Sequence, residues 1–419
     1  MAVNISSKQS ASSNQTSGTT YGVALYSLML LFFMMGFITC LNDILIPYLK
    51  AIFQLNYAQA NFINLCFFGA YFVMSIPSGM IIQKVGYKSG MILGFVIAAL
   101  GCFLFYPAAS TKVYGLFLAA LFVLASGITL LQVAGNPYVA ALGKPETSSA
   151  RLTLTQAFNS VGTTIAPYFG SMLILSNLPK EITASTAIDV SAVQTPYLFI
   201  GATLVVIALV LFILKLPAIS RTDENGGLEQ TAHKNAWAYR HLILGAVGIF
   251  CYVGAEVAIG SHIVSYLQHP DVMGMAASDA GPYVSYYWGG AMVGRFIGSY
   301  ILQKFTPGKV LAFNALMAVV LLIISILTSG SLAMWSILLI GLMNSLMFAT
   351  IFTLAVDGLG KHTDQGSGIL CTAIVGGAIV PYLYGLVGDA FSLKVAFVLP
   401  LLCYLYIIYY GMKGHVKQA

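Results

Sequence analysis

The sequence predicts an all-α membrane protein with twelve transmembrane helices, built as two pseudo-symmetric six-helix bundles. Three observations predict it: a composition too poor in charge for a water-covered surface, continuous apolar runs of spanning length, and an internal repeat. Of 419 residues, 58% are hydrophobic and only 8% charged, with a mean hydropathy of +0.87. A soluble chain carries roughly 25% charged residues. Most of this surface must therefore face lipid, where about 20 apolar residues cross as a helix. Lipid satisfies no backbone N–H or C=O, so only helices or closed barrels span it. The runs are continuous and not alternating, which excludes a barrel.

In chain order, residues 1–20 are rich in Ser, Thr, Asn, Gln and Gly and read as a disordered tail. They hold no short apolar run with a cleavage site, so no signal peptide is expected. Apolar spans follow at about 22–48, 57–83, 89–107, 113–142, 152–176 and 194–215, so 21–216 forms the first bundle. Residues 217–236, from Arg221 to Lys234 the longest charged stretch, read as a linker. The second bundle, 237–412, has spans at about 237–267, 280–303, 309–328, 331–356, 367–388 and 393–412, and 413–419 is a short tail.

Charge tests the count. With the N-terminus inside, 14 Lys and Arg fall in inside segments and four (Lys50, Lys112, Lys180, Lys394) outside, with Arg295 set aside within a span. Basic residues concentrate on the cytoplasmic side of membrane proteins. An even number of spans and two cytoplasmic termini are expected, and the net charge of +6 reflects orientation and not nucleic-acid binding. The repeat pairs Leu142-Gly143-Lys144 with Leu359-Gly360-Lys361, Gln83-Lys84 with Gln303-Lys304, and Pro167-Tyr168 with Pro381-Tyr382. The offsets run from 214 to 220 residues and join equivalent spans, the mark of a duplicated unit. The six cysteines lie in apolar runs without paired spacing and read as free thiols.

Ionisable or amide groups inside a span are costly and mark function or a specific contact. Asp43, in the outer part of the first span, is a cavity-facing carboxylate or a helix-end group meeting water. Gln132 and Asn136 share a face of the fourth span, and Pro137 frees a carbonyl one turn back. Gln156, Asn159 and Thr163 share a face of the fifth. Such amides suit the paired hydroxyls of a sugar, or tie helices together. Glu256 lies midway along the seventh span with Tyr252 one turn away, and it could bind substrate, take a proton or hold an ion. Trp288, mid-span, offers either a stacking face for a pyranose or packing. Arg295 is expected to pair with an acid or with carbonyls, a structural or gating role shared with Pro137, Lys84 and Lys304. Asn344 is a further site candidate, while His262, Asp357 and Asp389 read as packed or span-end groups.

Several stretches around these residues resemble the fucose–proton symporter family of the major facilitator superfamily, and most closely its bacterial glucose/galactose branch. They are Leu41-Asn42-Asp43-Ile44-Leu45-Ile46-Pro47, Asn136-Pro137-Tyr138-Val139, Gln156-Ala157-Phe158-Asn159-Ser160, Gln194-Thr195-Pro196-Tyr197 and Cys251-Tyr252-Val253-Gly254-Ala255-Glu256, with Gly294-Arg295-Phe296 and Gly376-Gly377. The resemblance covers nearly all of the chain beyond the tail. It implies a two-bundle fold and cation-driven uptake of a hexose by alternating access. In fucose transporters an Asp at the position of Asp43 serves sugar recognition and coupling, and a Glu on the fourth span carries a proton. Here that second position is Gln132, which cannot titrate, and Glu256 stands where those transporters have Gln.

The expected substrate set is Asp43, Gln132, Asn136, Gln156, Asn159, Tyr252, Glu256, Trp288 and Asn344. The expected coupling set is Asp43, Asn42, Gln132 and Glu256, with Asp43 the candidate ligand for Na⁺. Sodium, a hard cation that takes oxygen ligands, is favoured over a proton. The alternative is a proton-coupled symporter of L-fucose or another monosaccharide. An amphipathic-drug exporter would want fewer paired amides, and a sensor would want longer termini. A membrane enzyme would need a motif such as His-Glu-x-x-His or Gly-x-Ser-x-Gly, and neither occurs. The chain is expected to act as a monomer in the inner membrane, in contact with lipid, with no cofactor besides the coupling ion and no nucleic-acid partner.

Overall fold

The structure, a computed structural model, describes residues 18–53, 57–173, 191–217 and 235–417. Most of the expected tail and linker lie outside the described residues. Twelve long helical elements account for the described chain: α1 Gly18–Phe53, α2 Tyr57–Val85, α3 Tyr87–Thr111, α4 Tyr114–Ala141, α5 Ser148–Leu173 and α6 Ser191–Ile213. Then follow α7 Arg240–Gln268, α8 Val284–Ile301, α9 Pro307–Leu327, α10 Gly330–Val356, α11 Gly360–Ala390 and α12 Leu393–Gly414. Among the described residues ten helices are long and apolar enough to cross a membrane. The two long helices outside that set are α5 and α8, which carry Gln156, Asn159 and Arg295.

The packing repeats with the sequence. In the first half α3 packs on α4 and α6, α1 on α5, and α2 on α4. In the second, α9 packs on α10 and α12, α7 on α11, and α8 on α10. Small residues make the equivalent contacts possible, as in membrane helix packing generally. A Cβ on Gly36 would collide with the Asn159 carbonyl and one on Gly162 with that of Phe33, so α1 and α5 touch backbone to backbone. Gly376 does the same for α7 and α11 against the Phe250 carbonyl, and Gly254 leaves room there for the Val380 side chain. Gly36 and Gly254 are 218 residues apart, Gly162 and Gly376 214, within the offset of the repeat.

The halves meet along α2–α11 and α5–α8, with α4–α11 and α5–α10 beside them. Both ends of the described chain lie on one side, here the terminal side. Tyr21 approaches Gly143 and Arg151 donates to the Lys144 carbonyl at 2.8 Å. Ser149 bonds Thr353 at 2.6 Å, and Lys417 pairs with Asp357 at 2.9 Å. The halves are shut on this side. Besides Ser149–Thr353, Ser367 donates to the Val133 carbonyl at 2.9 Å, and Ala150, Leu302 and Leu346 form a small apolar cluster.

Three helices are interrupted: α12 at Phe397, one turn from its start, and two others in mid-span. In α10, the segments Gly330–Asn344 and Met347–Val356 are joined by a turn. In α11, a 3₁₀ turn at Ala373–Val375 separates Thr363–Thr372 from Gly376–Ala390. Broken spans expose carbonyls and are found where helices line a binding site. The six cysteines are free thiols.

Candidate functional site

The site centres on Glu256 of α7, only 8% exposed. One turn earlier on the same face, Tyr252 donates its hydroxyl to Glu256 Oε1 at 2.7 Å. Arg295 of α8 brings Nη2 to 3.9 Å from the same oxygen. That separation is a Coulombic contact and not a hydrogen bond. The guanidinium finds its hydrogen bonds elsewhere. Nη1 donates across the halves to Ser160 Oγ and to the Gln156 carbonyl of α5, the latter at 3.4 Å. Nε donates to the Ser345 carbonyl, freed by the break in α10, at 3.4 Å. One cation thus joins the buried acid of one half to the amide-bearing helix of the other.

Behind Glu256 a second chain of bonds fixes α7 against α8, α10 and α12. Tyr287 donates to the Glu256 carbonyl at 3.0 Å. Asn344, at the break in α10, donates to the Tyr287 hydroxyl at 2.8 Å, and Tyr404 donates to Asn344 Oδ1 at 2.8 Å. Tyr252, Tyr287, Tyr404 and Asn344 are all buried. A charge pair out of water is tolerable only with such supporting bonds.

The structure joins some expected site residues and separates others. Glu256, Tyr252, Arg295 and Asn344 belong to one network, and Gln156 enters through its carbonyl. Asn159 donates to the Phe32 carbonyl at 3.0 Å, tying α5 to α1. Gln132 donates to the Tyr71 hydroxyl at 2.9 Å, a bond within the first half. Asn136, beside Pro137 in α4, is fully buried, and neither amide atom has a hydrogen-bond partner among the described residues. Trp288 is 41% exposed, packed edge-on to Tyr287 and beside Gly260. Lys84 and Lys304 are exposed, the latter over the Tyr300 ring at 4.4 Å. Asn42 and Asp43 fall within α1, and their side chains lie outside what is described.

Sequence reasoning did not single out Tyr404, Ser160, Ser345 or Tyr71 as site residues. The one available signal was Ser160, one turn after Gln156 on the amide face. A groove of about 380 Å³ between α8 and α10 is apolar, lined by Tyr286, Gly289, Trp335 and Leu342 among others, and lacks the acid. No group of three His, Cys, Asp or Glu occurs together among the described residues. Chemically, the arrangement offers a buried carboxylate whose charge is shared by a phenol and a guanidinium, with amide and hydroxyl groups opposite. Such groups bind polyols and small cations.

A profile of the Major Facilitator Superfamily matches residues 28–381. Over 414 residues the chain is 55% identical to a glucose/galactose transporter of Brucella abortus biovar 1 (strain 9-941), covering 99% of each. It is 36% identical over 390 residues to the L-fucose-proton symporter of Escherichia coli (strain K12), covering 89% of each. Among solved structures, the transporter FucP in the outward conformation superposes with a TM-score of 0.85 at 35% identity, covering 94% of this chain and 98% of that one.

Proposed function

The chain belongs to the major facilitator superfamily, and on that premise we propose that it imports a hexose, glucose or galactose, by alternating access coupled to sodium. The observation that carries this reading is the Glu256–Arg295 network, in which one guanidinium bridges the acid of the second half and the amide helix of the first. A solute held by both halves at that point favours their rearrangement. The terminal side is cytoplasmic, as the basic residues favour, in a cell inner membrane. Because that side is shut, the molecule does not face inward.

Glu256 and the side chains of Gln156 and Asn159 take sugar hydroxyls from opposite halves. Asn159 keeps its carbonyl oxygen for this when its nitrogen is engaged by Phe32. Asp43 takes the cation with oxygen from Asn42 or Gln132. The Gln132 nitrogen is engaged by Tyr71, which leaves its carbonyl oxygen as a ligand. Coupling needs only that cation and sugar stabilise each other's bound state.

A second reading is proton coupling. It is favoured by the proton-symporter name of the 36% relative and by the carboxyl of Glu256, which a proton would release from Arg295. Uptake of labelled hexoses into proteoliposomes, with sodium and pH gradients imposed separately, decides between them. Sodium-driven accumulation of glucose or galactose is expected. Accumulation under a pH gradient alone, indifferent to sodium, overturns the sodium reading, and no concentrative hexose uptake under either gradient overturns the whole proposal.

A further inference from the structure

Most hydroxyls on these helices donate to the carbonyl one turn back, as Ser75 does to Tyr71, Thr129 to Ala125 and Ser336 to Leu332. Others, such as Ser149 and Ser367, bond a neighbouring helix, but three buried Ser or Thr hydroxyls do neither. Ser78, Thr153 and Thr350 are 0% exposed, and their oxygens have no partner among the described residues, like both amide atoms of Asn136. Buried polar groups are almost always paired, because an unpaired one forfeits its water without return.

The four share a location. Thr153 is one turn from Ser149 and Thr350 nearly one turn from Thr353, and Ser149 and Thr353 bond each other across the halves. Asn136 is a turn beyond Val133, whose carbonyl accepts from Ser367 of α11. Ser78 adjoins Gly79, whose missing Cβ leaves room for the Asp364 carbonyl of α11. All four therefore sit in the terminal-side seam between the halves. A permanent helix seam would pair these groups or replace them with apolar ones. Their state fits a surface made for water and held shut.

We propose that Ser78, Asn136, Thr153 and Thr350 line the exit path on the terminal side, a hydroxyl- and amide-bearing surface for a polyhydroxylated solute, wetted only when that side opens. The solute class rests on the hexose reading; the opening does not. A corollary is that these groups bias the resting molecule toward opening, since exposure to water restores their hydrogen bonds.

The test uses the full chain in proteoliposomes without sugar, with a membrane-impermeant maleimide on both faces and labelling read site by site by mass spectrometry. Cys102, fully buried within the first half, is the internal standard. Thr350→Cys is expected to label faster than Cys102. Thr153→Val, which keeps the shape and removes the hydroxyl, is expected to slow that labelling about five-fold by stabilising the shut seam. Labelling of Thr350→Cys no faster than Cys102, or a rate untouched by Thr153→Val, overturns the proposal. Should Thr350→Cys fail to fold, Ser78→Cys carries the same reading. With no sugar present, failure here is distinct from failure of the hexose assay.

Discussion

At the residue scale, Glu256 and Arg295 act as one unit. Arg295 has three other acceptors, so losing the acid leaves it partly compensated. Glu256→Gln should keep the Tyr252 contact, lower stability by about 1–3 kcal/mol and cut uptake at least about ten-fold. Thermal unfolding in detergent and an uptake assay read the two effects. Adding Arg295→Gln should recover stability and not transport, because the stranded charge goes while the bridge stays broken. A Glu256→Gln protein as stable and active as the parent would remove this pair from the mechanism. Both residues were legible in the sequence as expensive groups in hydrocarbon. An acid partner for Arg295 was expected, but which acid was not legible, since Glu256 lies 39 residues away on another helix and pattern carries no azimuth between helices. Tyr404 was silent because it is one of 24 tyrosines. Asn344, a site candidate from its place in a span, is the joint of that network. Asn344→Leu strands the hydroxyl of Tyr404 and removes the donor to that of Tyr287, which keeps its own bond to the Glu256 carbonyl, and a loss of about 1–3 kcal/mol in the same unfolding assay is expected.

At the scale of elements, the spans were read almost whole. The expected run 113–142 is α4, Tyr114–Ala141, and 237–267 is α7, Arg240–Gln268. Hydrocarbon imposes length and apolarity on each span, and both are written locally. The breaks in α10 and α11 were not read, because a turn at Ser345 or a 3₁₀ stretch at Ala373 leaves hydropathy unchanged. Close helix contacts left only the trace of glycine. Gly162→Ala puts a methyl into the Phe33 carbonyl, and relief requires moving the α1 backbone. A loss of about 1–3 kcal/mol is expected, as for overpacking generally. Gly69, in mid-α2, has nothing within 4 Å of its would-be Cβ, so Gly69→Ala should be neutral or slightly stabilising. Equal melting shifts for the two variants would show that glycine serves these helices through something other than close approach.

At the scale of the molecule, duplication and parity were legible and the conformational state was not. Basic residues report orientation and repeats report symmetry, but one sequence must fit both the shut and the open terminal side. The state is decided by small differences across the seam, and two kinds of polar group there pull in opposite directions. Ser149 and Thr353 bond each other across the halves, so their bond exists only when the side is shut. Ser149→Ala removes it without stranding its partner, since Thr353 also donates to the Ala349 carbonyl at 2.9 Å. A net hydrogen bond is worth about 1 kcal/mol, so opening should rise about five-fold. Labelling at Thr350→Cys should quicken with Ser149→Ala and slow with Thr153→Val, although both changes delete one hydroxyl one turn apart on the same helix. A lesion that merely loosened packing would quicken labelling in both. Opposite signs can arise only if one hydroxyl is satisfied by closure and the other by water, which is the balance an alternating-access machine needs to reach both states.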